Sequence, residues 1–132
     1  MSFIKTIDTE KYNVTVVSPR NYFLFTPLLA SSTVGTLEAR SIVQPIRSFI
    51  SKKKPKIKYF EASCQNIDFE NQIIDCADVS AFKSALNDKF KLKYDKLVLG
   101  IGCESNTFGT KGVEENCFFL KQVERLKKKF FF

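Results

Sequence analysis

Residues 14–30 run "VTVVSPRNYFLFTPLLA", and how this stretch is read decides the fold. Val14 to Val17 is a β-branched run of the kind that fills a buried strand. It stops at Ser18, Pro19 and Arg20. Tyr22, Phe23 and Phe25 follow almost together, then Thr26, Pro27, Leu28 and Leu29. By composition alone the aromatics suit core packing. Their place just past a strand end suggests more. In a doubly wound α/β sheet, ligands sit against the carboxyl ends of the strands. An arginine delivered there can pair with phosphate or stack on a purine. The Asp or Glu often found at such a strand end for a ribose hydroxyl is missing, and Ser18 offers only a weaker hydrogen bond.

Working outward, "MSFIKTID" puts Phe3, Ile4 and Ile7 on one helical face. "YNVTVV" then gives the strand, so the chain opens as an α/β unit entered in the middle. Residues 19–36 form a long connection carrying Pro19, Pro27 and Gly35, a length usually reserved for function. From Ser41, Ile42, Val43, Ile46, Phe49 and Ile50 recur at helical spacing. Ser41 and Gln44 have capping-box spacing, and Pro45 falls near the first turn. The helix is expected to end in lysines 52–54, which complement its dipole, before Pro55.

"KIKYFEASCQNID" and "FENQIIDC" predict an antiparallel hairpin turning at Glu70 and Asn71. Residues 77–90 are polar and suggest an insertion or a short helix. "KLKYDKLVLGIG" predicts a second buried strand, Leu97 to Leu99, closing on Gly100 and Gly102, where glycine lets a ligand or another backbone come close. A strand-ending turn explains that glycine pair equally well. "ESNTFGTKGV" is a turn-rich loop. "FFLKQVERLKKKFFF" starts as a helix and ends in a basic, then aromatic, low-complexity tail.

Composition narrows the function classes. The chain has 132 residues, 44% of them hydrophobic, enough for one domain or part of a larger one. The net charge of +7 favours anionic partners. Histidine is absent, which excludes Cys/His zinc sites and Ser-His-Asp triads. Cys64, Cys76, Cys103 and Cys117 are widely spaced with no C-x-x-C, so they read as reduced, partly buried thiols. No apolar run approaches the ~20 residues of a membrane span. The first residues carry Asp8 and Glu10 and no apolar h-region, so no targeting segment is expected. The clusters "KKKPKIK", "KLKYDK" and "KKK" lack interleaved aromatics and suit a solvated lysine face better than a nucleic-acid surface.

Two long segments, "YNVTVVSPRNYFLFTPLLASSTVGTLEARSIVQPIRSFI" and "YDKLVLGIGCESNTFGTKGV", resemble diagnostic segments of the type II (alternative, non-proton-pumping) NADH dehydrogenases, in their fungal and plant mitochondrial form. The similarity extends from Ser2 to about Glu124 and includes "KTIDTEKYNV" and "CFFLKQVE". It implies an α/β fold: a partial Rossmann-like FAD/NAD(P)-binding domain over residues 1–124, with a parallel sheet, helices and an antiparallel β-hairpin, and residues 125–132 as a tail. It also implies FAD as cofactor. Ser18, Pro19 and Arg20 would lie by the adenosine end, and Ala62 near the adenine. Thr26 and Pro27 would approach the isoalloxazine, and Gly102 would belong to a glycine turn over the cofactor. In the intact enzyme of that family, NADH gives a hydride to flavin N5 and the flavin passes two electrons to ubiquinone. No residue here stands out as a catalytic acid or base; Glu61, Asp95 and Glu104 read as surface or turn carboxylates.

Against the family pattern, the first strand with its G-x-G-x-x-G turn is missing, as are the NADH-binding unit and the C-terminal region used for peripheral attachment to the mitochondrial inner membrane. The chain is therefore expected to be a fragment, marginally stable and weak in FAD binding by itself, from an enzyme that can form homodimers. A flavin disulfide reductase of the same fold would want a C-x-x-C or C-x4-C, which is absent. The alternatives from other classes are a small basic nucleic-acid-binding module and a gene fragment without function.

Overall fold

The computed structural model describes residues 2–53, 56–80, 88–117 and 119–121. The expected tail 125–132, most of the expected last helix, and residues 81–87 of the polar segment lie outside these. The chain divides into two units. One comprises Met1–Phe23 and Pro45–Val98, the other Leu24–Gln44 and Leu99–Phe132.

In the first unit, α1 (Ser2–Thr6) is a short helix, extended by the Ile7 N–H bonding to the Phe3 carbonyl at 3.0 Å. Of the expected apolar face, Ile4 turns to the core while Phe3 stays 49% exposed. The strand β1 (Thr15–Ser18) lies parallel to β4 (Lys58–Asp68), from Thr15 opposite Lys58 to Ser18 opposite Glu61. The sheet continues through β5 (Ile73–Asp78) to β6 (Lys89–Lys93), in the order β1-β4-β5-β6. β1 is half-buried rather than fully buried, because among the described residues β4 is its one neighbour.

Ile46, Ile50 and Ile57 form the core, with Ile4, Val14, Val16 and Tyr59 packed on them. Burying an isoleucine contributes roughly 1.5–3 kcal/mol, so this cluster is what holds α3 (Ile46–Lys53) to the sheet. The helix begins later than the periodicity predicts, and Pro45 is the reason. The residue before a proline is pushed out of the helical region, which excludes Gln44 from a helix. Val43–Pro45 is instead an extended strand, β3, and no capping box forms at Ser41. The freed Ile46 N–H bonds to the Asn21 carbonyl at 2.9 Å.

The hairpin β4–β5 forms as expected. Asp68 holds its turn, accepting from the backbone N–H groups of Glu70 (3.1 Å) and Asn71 (2.9 Å) and from Asn71 Nδ2 (2.7 Å). Gln72 takes a left-handed φ of 55° to complete it. β6 corrects two expectations. Residues 89–93, not 97–99, make the next strand, pairing antiparallel with β5. The "LVLGIG" run has no ladder, and Val98, Leu99 and Ile101 are 64%, 56% and 89% exposed. A strand buried on both faces needs partners on both sides, and no described strand pairs with this run. The polar segment 77–90 gives its first residues to β5 and its last to β6.

In the second unit, the expected long connection holds short elements instead. Thr26–Leu28 is one 3-10 turn with Pro27 at its start, and α2 (Leu29–Thr33) follows. Ala39–Ile42 is another 3-10 turn, and the Phe25 N–H bonds to the Ile42 carbonyl at 2.9 Å. Leu29 and Ile42 are buried. Where the chain passes between the units, β2 (Tyr22–Leu24) and β3 pair as a two-stranded sheet. Residues 104–112 are turn-rich as expected, with left-handed φ at Phe108, Gly109 and Gly112, before α4 (Val113–Asn116).

Candidate functional site

At the parallel pair β1–β4 several of the sequence-predicted residues meet an ordered strand end. β1 stops at Ser18 while β4 runs on through Glu61 and Ala62. Val79 N–H donates to the Glu61 carbonyl at 3.2 Å, and Asp78 N–H turns the other way, to Asp88 at 2.7 Å. Antiparallel ladders alternate in this manner, so the Ala62 peptide faces the β1 side. With Ser18 opposite Glu61 its N–H meets the Ser18 carbonyl, the last of β1, and its own carbonyl lies past the strand end. The Ala62 side chain is buried, 1% exposed.

Ser18, Pro19 and Arg20 form a braced turn. The Ser18 hydroxyl donates to the Arg20 carbonyl at 2.9 Å and accepts from the Arg20 N–H at 3.2 Å. Its proton is therefore used within the turn, a local side-chain bond typical of serine at such positions. The Tyr59 hydroxyl donates to the Arg20 carbonyl at 3.1 Å and to the Ser18 carbonyl at 3.4 Å. Arg47, on the first turn of α3, lies over the Tyr59 ring at 5.6 Å. Burial pushes the Tyr59 phenol above its ordinary pKa of about 10; the Glu61 charge adds to this and Arg47 opposes it. The Arg20 side chain is exposed.

Sequence reasoning missed Tyr59, Arg47 and the position of Glu61. Tyr59 read as an alternating strand residue and Glu61 as a surface carboxylate. In the register, Glu61 sits opposite Ser18 at the strand end, so a carboxylate is present at the edge after all, on β4 rather than β1. The signal was there in the parallel pairing, which a strand pattern does not reveal.

In the second unit, Thr26 and Pro27 are exposed on their 3-10 turn. Gly102 has a φ of +72°, and a side chain at its Cβ would meet nothing within 4 Å. Cys103, next to it, accepts a hydrogen bond from Lys121 Nζ at 3.0 Å. Thus Ser18, Pro19, Arg20 and Ala62 belong to one unit, and Thr26, Pro27 and Gly102 to the other.

The family model for pyridine nucleotide-disulphide oxidoreductases matches residues 1–130. The chain is 51% identical over 123 residues to an external alternative NAD(P)H-ubiquinone oxidoreductase B1, mitochondrial, of Solanum tuberosum, covering 93% of this chain and 21% of that protein. It is 47% identical over 129 residues to a probable NADH dehydrogenase of Dictyostelium discoideum, covering 96% and 27%. Among solved structures it is similar to NDH2 from Plasmodium falciparum in complex with NADH, with a TM-score of 0.81, 38% identity, and coverage of 96% of this chain and 25% of that one. A sulfide:quinone oxidoreductase from Aquifex aeolicus, 23% identical with a TM-score of 0.74, shares the fold. The chain spans about a quarter or less of the length of most of these relatives.

Proposed function

Because the chain belongs to the pyridine nucleotide-disulphide oxidoreductase family, we propose that it supplies FAD-contacting parts of an NADH:quinone oxidoreductase attached peripherally to the mitochondrial inner membrane. The observation that carries this reading is the β1–β4 strand end, with its braced Ser18–Arg20 turn and the Ala62 carbonyl beside it, past the last residue of β1.

The residues of the first unit fit the adenosine end of FAD. Arg20 is exposed and carries the charge that a phosphate or a purine face requires. Ala62 presents its carbonyl without side-chain bulk, suited to accept from an adenine amino group. Glu61 opposite Ser18 can accept from ribose hydroxyls with a full negative charge, whereas Ser18, with its proton on the Arg20 carbonyl and one lone pair on the Arg20 N–H, has only one neutral lone pair to offer. Tyr59 and Arg47 act indirectly, holding the turn in place. In the second unit, Thr26 and Pro27 form a rigid turn that would exclude water near the isoalloxazine, and Gly102 admits close approach. Bound FAD would accept hydride from NADH and deliver two electrons to ubiquinone. The matched relatives named as mitochondrial NAD(P)H-ubiquinone oxidoreductases support this assignment, and a homodimer is part of the same reading.

The test uses the protein extended by its flanking coding sequence. A bound-flavin spectrum and NADH-dependent reduction of a short-chain ubiquinone are expected. Arg20→Ala is expected to weaken FAD retention by about tenfold, the loss of one charge-assisted contact. An extended protein without a flavin spectrum, but with a salt-dependent RNA shift, would overturn the reading.

A further inference from the structure

Cys64 on β4 and Cys76 on β5 stand directly opposite each other in the antiparallel register. The kind of pairing follows from the ladder. Val79 N–H bonds across to Glu61, while Asp78 N–H bonds away, to Asp88. Counting back along the register, Glu61 and Val79 are a hydrogen-bonded pair, Ala62 and Asp78 are not, and the alternation makes Cys64 and Cys76 a non-hydrogen-bonded pair. In such pairs the side chains lean together and the Cα atoms lie about 4.5 Å apart. A disulfide needs about 4.4–6.8 Å. The strand bulges just beyond this point, between Cys64 and Asn66.

The two thiols differ in access. Cys64 is exposed, and Cys76 is 1% exposed. On its other side Cys76 pairs with Phe90, whose ring packs on Phe60 with centroids 5.2 Å apart. Both thiols are free. Burial raises the pKa of Cys76, with the Cys64 and Asp75 charges adding to it, so Cys76 rests as a thiol.

We propose that Cys64 and Cys76 are a peroxide-responsive dithiol site, in which Cys64 is oxidised and Cys76 resolves it to a cross-strand disulfide. The Cys64 thiol gives up its proton and the sulfur attacks one oxygen of a hydroperoxide; the O–O bond breaks, leaving a sulfenic acid and a hydroxide or alkoxide that takes up that proton as water or an alcohol. Cys76 sulfur then attacks the Cys64 sulfur. The S–S bond forms, the S–O bond breaks, and hydroxide leaves with the Cys76 proton as water. The two sulfurs lose two electrons in all and the peroxide gains them. A dithiol reductant reverses the step by exchange. This site is separate from any C-x4-C pair on a flavin face, since its cysteines lie on neighbouring strands. The proposal does not depend on the function proposed above.

The experiment treats the whole chain with equimolar hydrogen peroxide, alkylates the remaining thiols, and digests with trypsin and a Glu-specific protease. The expected product links peptide 62–70 to peptide 71–83, with Cys103 and Cys117 alkylated, and dithiothreitol releases it. Cys103→Ser leaves the yield of this link unchanged. Cys64→Ser abolishes it and leaves Cys76 alkylatable only after denaturation. A sulfinic acid at Cys64 with Cys76 still reduced would overturn the proposal. So would links to Cys103 or Cys117 in yields comparable to the Cys64–Cys76 link.

Discussion

At Tyr59 one hydroxyl proton is shared between the carbonyls of Ser18 and Arg20, and so ties the candidate turn to the next strand. Tyr59→Phe removes that tie without changing the ring under Arg47. A hydrogen bond of this kind contributes about 0.5–1.5 kcal/mol net. Urea unfolding at neutral pH is therefore expected to show a loss in that range, near its lower end because the site is partly exposed. The pH dependence has a definite sign. The phenol pKa is raised in the folded state, so its contribution is full below about pH 10, the unfolded value, and is lost as pH rises through the folded value. Above that point the urea midpoints of the wild type and Tyr59→Phe should converge. A gap that stays constant after the folded phenol has titrated, followed by its absorbance, would mean that the hydroxyl does not hold the turn. Arg20, by contrast, carries no such structural duty for its side chain, so Arg20→Ala should leave the urea midpoint within the error of a surface substitution, about 0.5 kcal/mol.

The elements show which parts of the fold the sequence could disclose. The β4–β5 hairpin was legible because its signal is local: alternation on both sides of a polar turn at Glu70 and Asn71. Asp68 sets that turn, and its bonds to Asn71 backbone, Asn71 side chain and Glu70 backbone hold its carboxyl below the usual range, with Lys91 assisting. A lowered folded-state pKa stabilises above the ordinary aspartate value and is lost as pH falls through the folded value. The hairpin is thus expected to loosen in acid. Amide exchange at Glu70 and Asn71 should lose protection below about pH 4, and Asp68→Ala should show the same loss already at neutral pH. α3 was misplaced for a different reason. Its apolar spacing begins at Ile42, but a proline acts on the residue before it, and Gln44 cannot be helical ahead of Pro45. The candidate site was half-legible. Ser18, Pro19 and Arg20 follow from a strand end, while Glu61 and Tyr59 reach that edge only through parallel pairing, a contact between residues far apart in sequence.

Across the whole molecule, the segment around "LVLGIG" carries the largest conflict between pattern and surroundings. Its residues have the composition of a strand buried on both faces, yet Val98, Leu99 and Ile101 are largely exposed, and Phe108 further on is 87% exposed. Neighbouring exposed apolar side chains of this kind mark surfaces that associate. The relatives extend well beyond the length of this chain, and in a sheet protein such a run is covered by further strands. The 132-residue chain is therefore expected to bind a hydrophobic dye such as ANS and to self-associate as its concentration rises. Because these side chains contribute little to either unit, Ile101→Lys combined with Val98→Lys should reduce both dye binding and self-association by severalfold. The same change should leave the urea midpoint of the β4–β5 hairpin unaltered, since surface substitutions stay within about 0.5 kcal/mol. Dye fluorescence and sedimentation read the first effect, and hairpin amide exchange in urea reads the second. If the double substitution unfolds the hairpin instead, Val98 and Ile101 pack on the sheet and the apolar run is not the surface through which the chain associates.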